Sequence, residues 1–166
     1  MLSGILAGQQ FECELSGDES LRRRPMERVI TPLAAMGAKF ESAAGGRPPL
    51  RIKGARLRGV EYRMPTASAQ VKTALLFAGL AAEGETRVEE PVQTRDHGEQ
   101  ALTAFGAELT REGRSVSIRG GQRLHAIEAA VPGDISSAPF FMCAAALFPG
   151  SRVTFPGILL NPTRAR

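Results

Sequence analysis

The sequence predicts an α/β (α+β) fold built from two copies of one supersecondary unit. In both copies an apolar run ends in Ala-Gly, at Gly8 and at Gly79, and an arginine follows at the same spacing, at Arg24 and at Arg95. Both copies then close on a strand-like stretch that ends in glycine. The period is about 70 residues, and self-similarity at a fixed spacing is the signature of a modular architecture. The order helix, strand, helix, strand, strand recurs, which predicts helices packed behind sheets.

The elements of the first copy follow from local pattern. The apolar segment 1–8 is interpreted as the tail of a buried helix, and residues 11–16 alternate apolar and polar side chains as a half-buried strand does. Residues 17–20 are a predicted turn. Pro25 is placed in the first turn of a helix that ends at Gly37. Short strands are then predicted over 39–42, 50–53 and 57–63.

The second copy opens with the strongest helix signal, over 67–82, with Ser68 as the N-cap residue. A strand is predicted over 86–89, and a helix starts within 94–97 with Thr94 as its cap. The remaining predictions are strand, turn and strand over 119–131, an apolar helix over 138–147 and a strand over 150–155.

Composition limits the possible partners. The 166 residues, 43% of them hydrophobic, suffice for one sizeable domain or slightly more. A net charge of +4 favours nucleic acid, a membrane surface or small polyanions as partners. A nucleic-acid groove is disfavoured because aromatic residues are not interleaved with basic ones. The apolar start of the chain is too short to span a bilayer. Cys13 and Cys143 form neither a disulfide framework nor a zinc site, so a reducing cytoplasm is the simplest location.

Two candidate sites lie at predicted helix starts. Arg24, in a run of three arginines, can clamp a phosphate or carboxylate beside a helix N-terminus; the alternative is a solvated turn near Glu19 and Glu27. Ser68 and Gln70 offer a hydroxyl, an amide and free N–H groups, which together form a neutral phosphate cradle. The alternative for these two residues is a plain helix cap.

The segment Thr94-Arg95-Asp96-His97 repeats this theme with a cap, a guanidinium and a helix. His97 alone is more typical of packing or capping than of catalysis, and Asp134 is interpreted as a cap for the last predicted helix. The sequence contains no metal-ligand cluster, no nucleophile elbow and no Walker-type glycine loop.

Four stretches, 17–26, 67–76, 94–97 and 131–138, together resemble the 3-phosphoshikimate 1-carboxyvinyltransferase (EPSP synthase) family along essentially the whole chain. The related transferases that act on UDP-N-acetylglucosamine carry a catalytic cysteine loop that is absent from this sequence. The resemblance implies an inside-out fold of two halves, each with three βαβαββ units around a pseudo-threefold axis. Residues 1–130 would be the latter part of the N-terminal half, about two units, and residues 131–166 the hinge and the first part of the second domain. The chain would therefore be truncated at both ends.

The resemblance also implies a reaction. The carboxyvinyl group of phosphoenolpyruvate is transferred to the 5-hydroxyl of shikimate 3-phosphate, through a tetrahedral adduct that releases phosphate. Arg24 would bind phosphoenolpyruvate. Ser68, the Ala69 backbone and Gln70 would hold shikimate 3-phosphate, and Arg95, helped by Thr94, would approach the same substrate. The implied protein is a cytoplasmic monomer that uses these small molecules and needs no cofactor, metal, nucleic acid or membrane.

Two departures from the family pattern are Gly98, where threonine is common, and Thr73, where serine is common. The acid and base groups of the reaction cannot be assigned within this sequence and are expected in the missing segments. The isolated chain is therefore expected to have negligible turnover. Two alternatives stay open: an inactive half-domain that only binds shikimate 3-phosphate, and a basic repeat protein that binds nucleic acid.

Overall fold

A computed structural model of the chain describes residues 1–163. The first repeat unit contains three helices and five strands. They are α1 (Leu2–Ala7), β1 (Glu12–Leu15), α2 (Glu19–Arg22), α3 (Glu27–Ala35), β2 (Lys39–Ala43), β3 (Arg47–Lys53), β4 (Leu57–Arg58) and β5 (Glu61–Arg63).

The second repeat unit shares the order helix, strand, helix, strand, strand with the first, but it has no counterpart of α2, β4 or β5 and has one additional short strand after its first helix. It contains α4 (Ala69–Leu80), β6 (Ala82–Glu83), β7 (Glu85–Glu89), α5 (His97–Ala104), β8 (Leu109–Glu112) and β9 (Ser115–Arg119). A 3-10 turn, Ile135–Ser137, then leads into α6 (Ala138–Leu147). The chain divides into one compact unit, Met1–His125, and a second that begins at Ala126. The assignment of residues 1–130 and 131–166 to the two halves of a larger enzyme stays a prediction.

The sheet topology is duplicated, in keeping with the repeated order of helices and strands that the sequence predicts. In the first unit the strand order is β1-β3-β2, and in the second it is β7-β9-β8, with all of these pairs antiparallel. In each of these antiparallel arrangements the strand that comes last in sequence, β3 or β9, lies between the other two. In addition, β5 runs parallel to β7 and β4 parallel to β6, so the end of the first unit completes the sheets of the second.

The glycine directly after β3 and the glycine directly after β9 make the same close backbone contact. A Cβ atom at Gly54 would lie 1.8 Å from the carbonyl oxygen of Gln9, and one at Gly120 would lie 1.7 Å from that of Ala82. Any side chain at either position would displace backbone. This contact gives a physical reason for the glycine that closes both copies.

Helix α4 lies at the centre of the core. Eight of its residues are buried and they lie all around the helix, as expected of a helix enclosed by protein. Helix α1 crosses it closely, because a Cβ at Gly4 would come within 2.0 Å of the Ala74 carbonyl oxygen. The predicted helix over 67–82, capped by Ser68, is confirmed and positions the start of α4 for the site described below.

Several local predictions were wrong. The predicted turn at 17–20 begins helix α2, whose cap Asp18 accepts a hydrogen bond from the Leu21 N–H at 2.8 Å. Pro25 precedes α3, which begins at Glu27. The predicted strand over 57–63 is split into β4 and β5, because its two parts pair with different strands.

The stretch after β9 is not a second strand. Gly121 has a φ of +78°, and the Gln122 side chain donates to the carbonyl oxygens of Arg119 and Glu108, so the backbone turns away from the sheet. Residues 150–155 are not a strand either. Among the described residues, the region after α6 makes one β-bridge, between Gly133 and Ile158. Strands β6 and β8 were missed, since both are short and bear charged residues.

Candidate functional site

The N-terminus of α4 is a hydrogen-bond donor site. Ser68 has an extended backbone, and its Oγ accepts from the Val71 N–H at 3.4 Å. Because the oxygen serves as the acceptor, the hydroxyl proton remains free to donate to a ligand. The N–H groups of Ala69 and Gln70 belong to the first turn, which has no intrahelical acceptor. Three donors are thus grouped at the positive end of a twelve-residue helix.

One cleft joins this helix start to the second predicted arginine. It has a volume of about 170 Å³. Its lining residues are Met1, Ala69, Gln70, Thr73, Arg95, His97 and Gly98. None of these described residues carries a carboxylate.

The guanidinium groups of Arg24 and Arg95 are available to an anion. The ion pairs found within residues 1–163 include neither of them. A planar guanidinium of this kind can donate two parallel hydrogen bonds to a phosphate or carboxylate. Arg95 is half-buried in the cleft wall, whereas Arg24 is exposed between α2 and α3.

Ser68 lines a second cleft, of about 280 Å³. Its other lining residues are Arg28, Tyr62, Met64, Pro65, Thr66 and Val71. The sequence analysis missed Arg28. The available signal was its place in the first turn of the helix that follows Arg24. Arg24 lines neither cleft, so the structure brings Gln70 and Arg95 together without Arg24.

Thr94 is not a helix cap, contrary to prediction. The N-cap residue of α5 is Asp96, and it caps without a side-chain hydrogen bond. Thr94 instead donates its N–H, at 3.2 Å, and its hydroxyl to the Glu90 Oε1 atom. The threonine is committed to a buried carboxylate on the residue after β7, and this commitment fixes the segment that carries Arg95.

A buried ion cluster is formed by Lys72, Glu90 and Glu99, with the exposed Arg111 at its edge. Lys72 and Glu90 are 0% and 1% exposed. The Lys72 Nζ atom lies 2.9 Å from Glu90 Oε2 and 2.7 Å from Glu99 Oε1, and Arg111 Nη2 lies 2.7 Å from the same Glu99 oxygen. The sequence analysis missed this cluster. Its signal was a lysine inside an otherwise apolar helix.

His97 and Asp134 take part neither in the ion cluster nor in the contact between Thr94 and Glu90. The His97 Nε2 atom is buried and has no hydrogen-bond partner among the described residues. Asp134 accepts from the Ser136 N–H at 2.8 Å and so caps the 3-10 turn over 135–137, whereas the predicted helix itself, α6, begins after Ser137 without a side-chain cap. Within residues 1–163, no group of three or more His, Cys, Asp or Glu side chains could hold a metal ion.

Fold and site together define a repeated α/β protein whose unpaired arginines and helix N-terminus are suited to small anions. The chain belongs to the EPSP synthase (3-phosphoshikimate 1-carboxyvinyltransferase) family, whose model matches residues 1–166. It is 59% identical to the 3-phosphoshikimate 1-carboxyvinyltransferase of Koribacter versatilis (strain Ellin345) over 99% of the chain, and 53% identical to that of Bacillus subtilis (strain 168).

The structural comparison agrees. An EPSP synthase structure from Acinetobacter baumannii superposes with a TM-score of 0.88 at 48% identity, covering 99% of this chain and 37% of that one. The predicted fold class, with its tandem enolpyruvyl transferase repeats, is confirmed. The chain spans about 38% of the length of the curated relatives that it matches.

Proposed function

We propose that this chain forms part of the active site of a 3-phosphoshikimate 1-carboxyvinyltransferase. The enzyme would transfer the carboxyvinyl group of phosphoenolpyruvate to the 5-hydroxyl of shikimate 3-phosphate and release phosphate. Family membership supports the reaction class. The observation that carries the site assignment is the shared cleft of Gln70 and Arg95, which contains no carboxylate among its described lining residues.

Both substrates are polyanions, so the site must stabilise negative charge. Ser68, Gln70 and the Ala69 backbone would hold the phosphate of shikimate 3-phosphate at the start of α4, where N–H groups and the helix dipole favour an anion. Arg95 would complete this binding from the opposite wall of the cleft, with Thr94 supporting its segment. Arg24, exposed and unpaired among the described residues, would bind phosphoenolpyruvate.

The chemistry balances without a cofactor. The 5-hydroxyl loses its proton as its oxygen bonds to C2 of phosphoenolpyruvate, and C3 gains a proton, which gives the tetrahedral adduct. Loss of a proton from C3 and cleavage of the C2–O bond to phosphate then restore the double bond. The groups that move these protons must be positioned within hydrogen-bond reach, and we assign none of them to this chain.

The proposal includes a cytoplasmic monomer as the whole enzyme. No helix within residues 1–163 has both the length and the apolar character needed to cross a membrane. Cys13 and Cys143 are free thiols, as is ordinary in a reducing compartment.

Two proteins test the proposal. The first is the 166-residue chain, titrated with shikimate 3-phosphate by calorimetry and by amide NMR. The second is a hybrid transferase, in which these 166 residues replace the matching segment of the Koribacter versatilis relative, assayed for phosphate release. We expect shifts near Ser68, Gln70 and Arg95 in the chain, and phosphate release from the hybrid. Phosphate release from the chain alone would contradict the expectation that it lacks turnover.

Arg95→Ala is the decisive variant. Loss of charge-assisted hydrogen bonds to phosphate costs about 1.5–3 kcal/mol, so affinity should fall about ten- to a hundredfold. Arg63→Ala is the matched control, since Arg63 is exposed and pairs with Glu89 outside both clefts. Equal affinity in the two variants would overturn the site assignment. Binding by the chain together with an inactive hybrid would favour the half-domain that only binds.

A further inference from the structure

The buried ion cluster connects the two sides of the proposed substrate cleft. Lys72 lies on α4, two residues after Gln70, and its ammonium contacts Glu90 and Glu99. Glu90 uses its second oxygen, Oε1, to accept from Thr94, the residue directly before Arg95. One carboxylate therefore bridges the helix that carries Gln70 and the segment that carries Arg95.

This bridge has no ready explanation as a source of stability. The cluster contains two cations and two carboxylates, so its net charge is zero. Desolvating such groups costs about as much as their attraction returns, and apolar side chains of similar volume often serve equally well. The best-supported role of buried charged groups is to select one structural arrangement over competing ones.

The surrounding contacts leave the segment little freedom. The Glu90 N–H donates to the Arg114 carbonyl at 2.9 Å, and the Arg114 guanidinium donates back to the Pro91 carbonyl. Glu99, on α5, is held by both Lys72 and Arg111. The segment 91–96 is thus held at its start through Pro91 and just beyond its end through Glu99. Glu90 holds the segment between these points through Thr94.

We infer that Glu90 is a positioning residue that acts through Thr94 and sets the distance between Arg95 and Gln70 across the shikimate 3-phosphate site. The inference rests on the proposed function of that cleft. It predicts that Glu90 affects substrate binding without touching the substrate. A displacement of about 1 Å in a binding group can cost about a hundredfold in rate, so the effect is measurable.

The test uses Glu90→Gln and Thr94→Val, with Glu112→Gln as the matched control. Glu112 pairs with Arg87 on the exposed face of the sheet, outside both clefts. The Kd for shikimate 3-phosphate is measured in the 166-residue chain, and KM and kcat are measured in the hybrid transferase. Because misplacing Arg95 weakens the same charge-assisted hydrogen bonds that Arg95→Ala removes, we expect Glu90→Gln and Thr94→Val to raise Kd and KM by up to about a hundredfold, and Glu112→Gln to change neither.

Combination with Arg95→Ala separates positioning from a general structural effect. If Glu90 acts through Arg95, then Glu90→Gln adds no further loss of affinity once Arg95 is removed. A merely structural carboxylate would lower the urea midpoint while its effect on Kd stayed additive with Arg95→Ala. That additive result would overturn the inference. Thr94→Val keeps the Lys72–Glu90 ion pair, so it carries the test if Glu90→Gln fails to fold.

The two proposals fail differently. If Arg95→Ala leaves shikimate 3-phosphate binding unchanged, the proposed site is wrong and the inference falls with it. If Arg95→Ala weakens binding while Thr94→Val and Glu90→Gln behave like the control, the site stands and the positioning role is refuted.

Discussion

Substitution of Gly98 by alanine should strain the contact between α4 and α5. A Cβ at Gly98 would lie 2.4 Å from Oγ1 and 2.7 Å from Cγ2 of Thr73. Both distances are below the separation that real Cβ atoms adopt, so Thr73 must move. Thr73 is buried, and its hydroxyl donates to the Ala69 carbonyl at 2.8 Å, so movement also disturbs the first turn of α4.

The cost can be estimated from these contacts. Overpacking a well-filled site costs about 1–3 kcal/mol, and loss of the Thr73 hydrogen bond costs about 0.5–1.5 kcal/mol. The gain in helix propensity from Gly to Ala offsets up to about 1 kcal/mol. With the full offset, we therefore expect Gly98→Ala to lose about 0.5–3.5 kcal/mol of unfolding free energy.

Tyr62 provides the assay. It is the only tyrosine, the sequence contains no tryptophan, and it lies in β5 within the unit Met1–His125. Urea titration followed by tyrosine fluorescence thus reports the unit that contains Gly98. Thr73→Ala removes both close atoms, so the double variant should recover at least about 1 kcal/mol relative to the sum of the single effects. A wild-type midpoint for Gly98→Ala, or strictly additive single effects, would refute the reasoning.

Three further predictions concern the core and the helix start. Lys72→Met should lose about 3–5 kcal/mol by the same assay, because it leaves the buried Glu90 carboxylate without a cation and Glu99 with Arg111 alone, whereas the exposed ion pair removed by Arg63→Met should be worth at most about 1 kcal/mol; similar urea midpoints for the two variants would contradict the ion cluster. Gly120→Ala should lower the melting temperature far more than Gly113→Ala, because only the first Cβ meets backbone, at 1.7 Å; equal melting temperatures would contradict this packing. Ser68→Asp should keep the helix cap, and hence stability, yet abolish binding of shikimate 3-phosphate in calorimetry, while Ser68→Ala should lose about 1 kcal/mol; undiminished binding by Ser68→Asp would remove Ser68 from the site.

The sequence was sufficient for features set by local chemistry. Helix α4 was predicted because a cap residue, Ser68, precedes a long apolar run. The repeat was predicted because glycines recur at matching positions, and at Gly54 and Gly120 the structure shows the physical reason, since the backbone is crowded there. Strand 57–63 was predicted as one element because its pattern is continuous. Its division depends on which neighbours its two parts meet, and pairing of that kind is not a local property.

The site was predictable only in part, for the same reason. Ser68, Gln70 and Arg95 were singled out by their places at helix starts, and the structure puts Gln70 and Arg95 in one cleft. Spacing alone could not show that Ser68 faces a second cleft with Arg28. Nor could it show that Glu90 holds Thr94, since charged residues at a strand end are ordinarily solvated.

The two copies of the repeat differ in how firmly they hold their arginines. The residues directly after β1 and β7 have a matching role: Ser16 accepts from the Arg22 Nε atom at 3.2 Å, and Glu90 accepts from Thr94. The first contact is exposed and involves a neutral hydroxyl, whereas the second uses a buried carboxylate. An exposed hydrogen bond of this kind restrains its segment by about 1 kcal/mol or less, so the loop that carries Arg24 is held more weakly than the one that carries Arg95. An anion that contacts both arginines would have to order the first loop on binding, at an entropic cost, while the second is already placed.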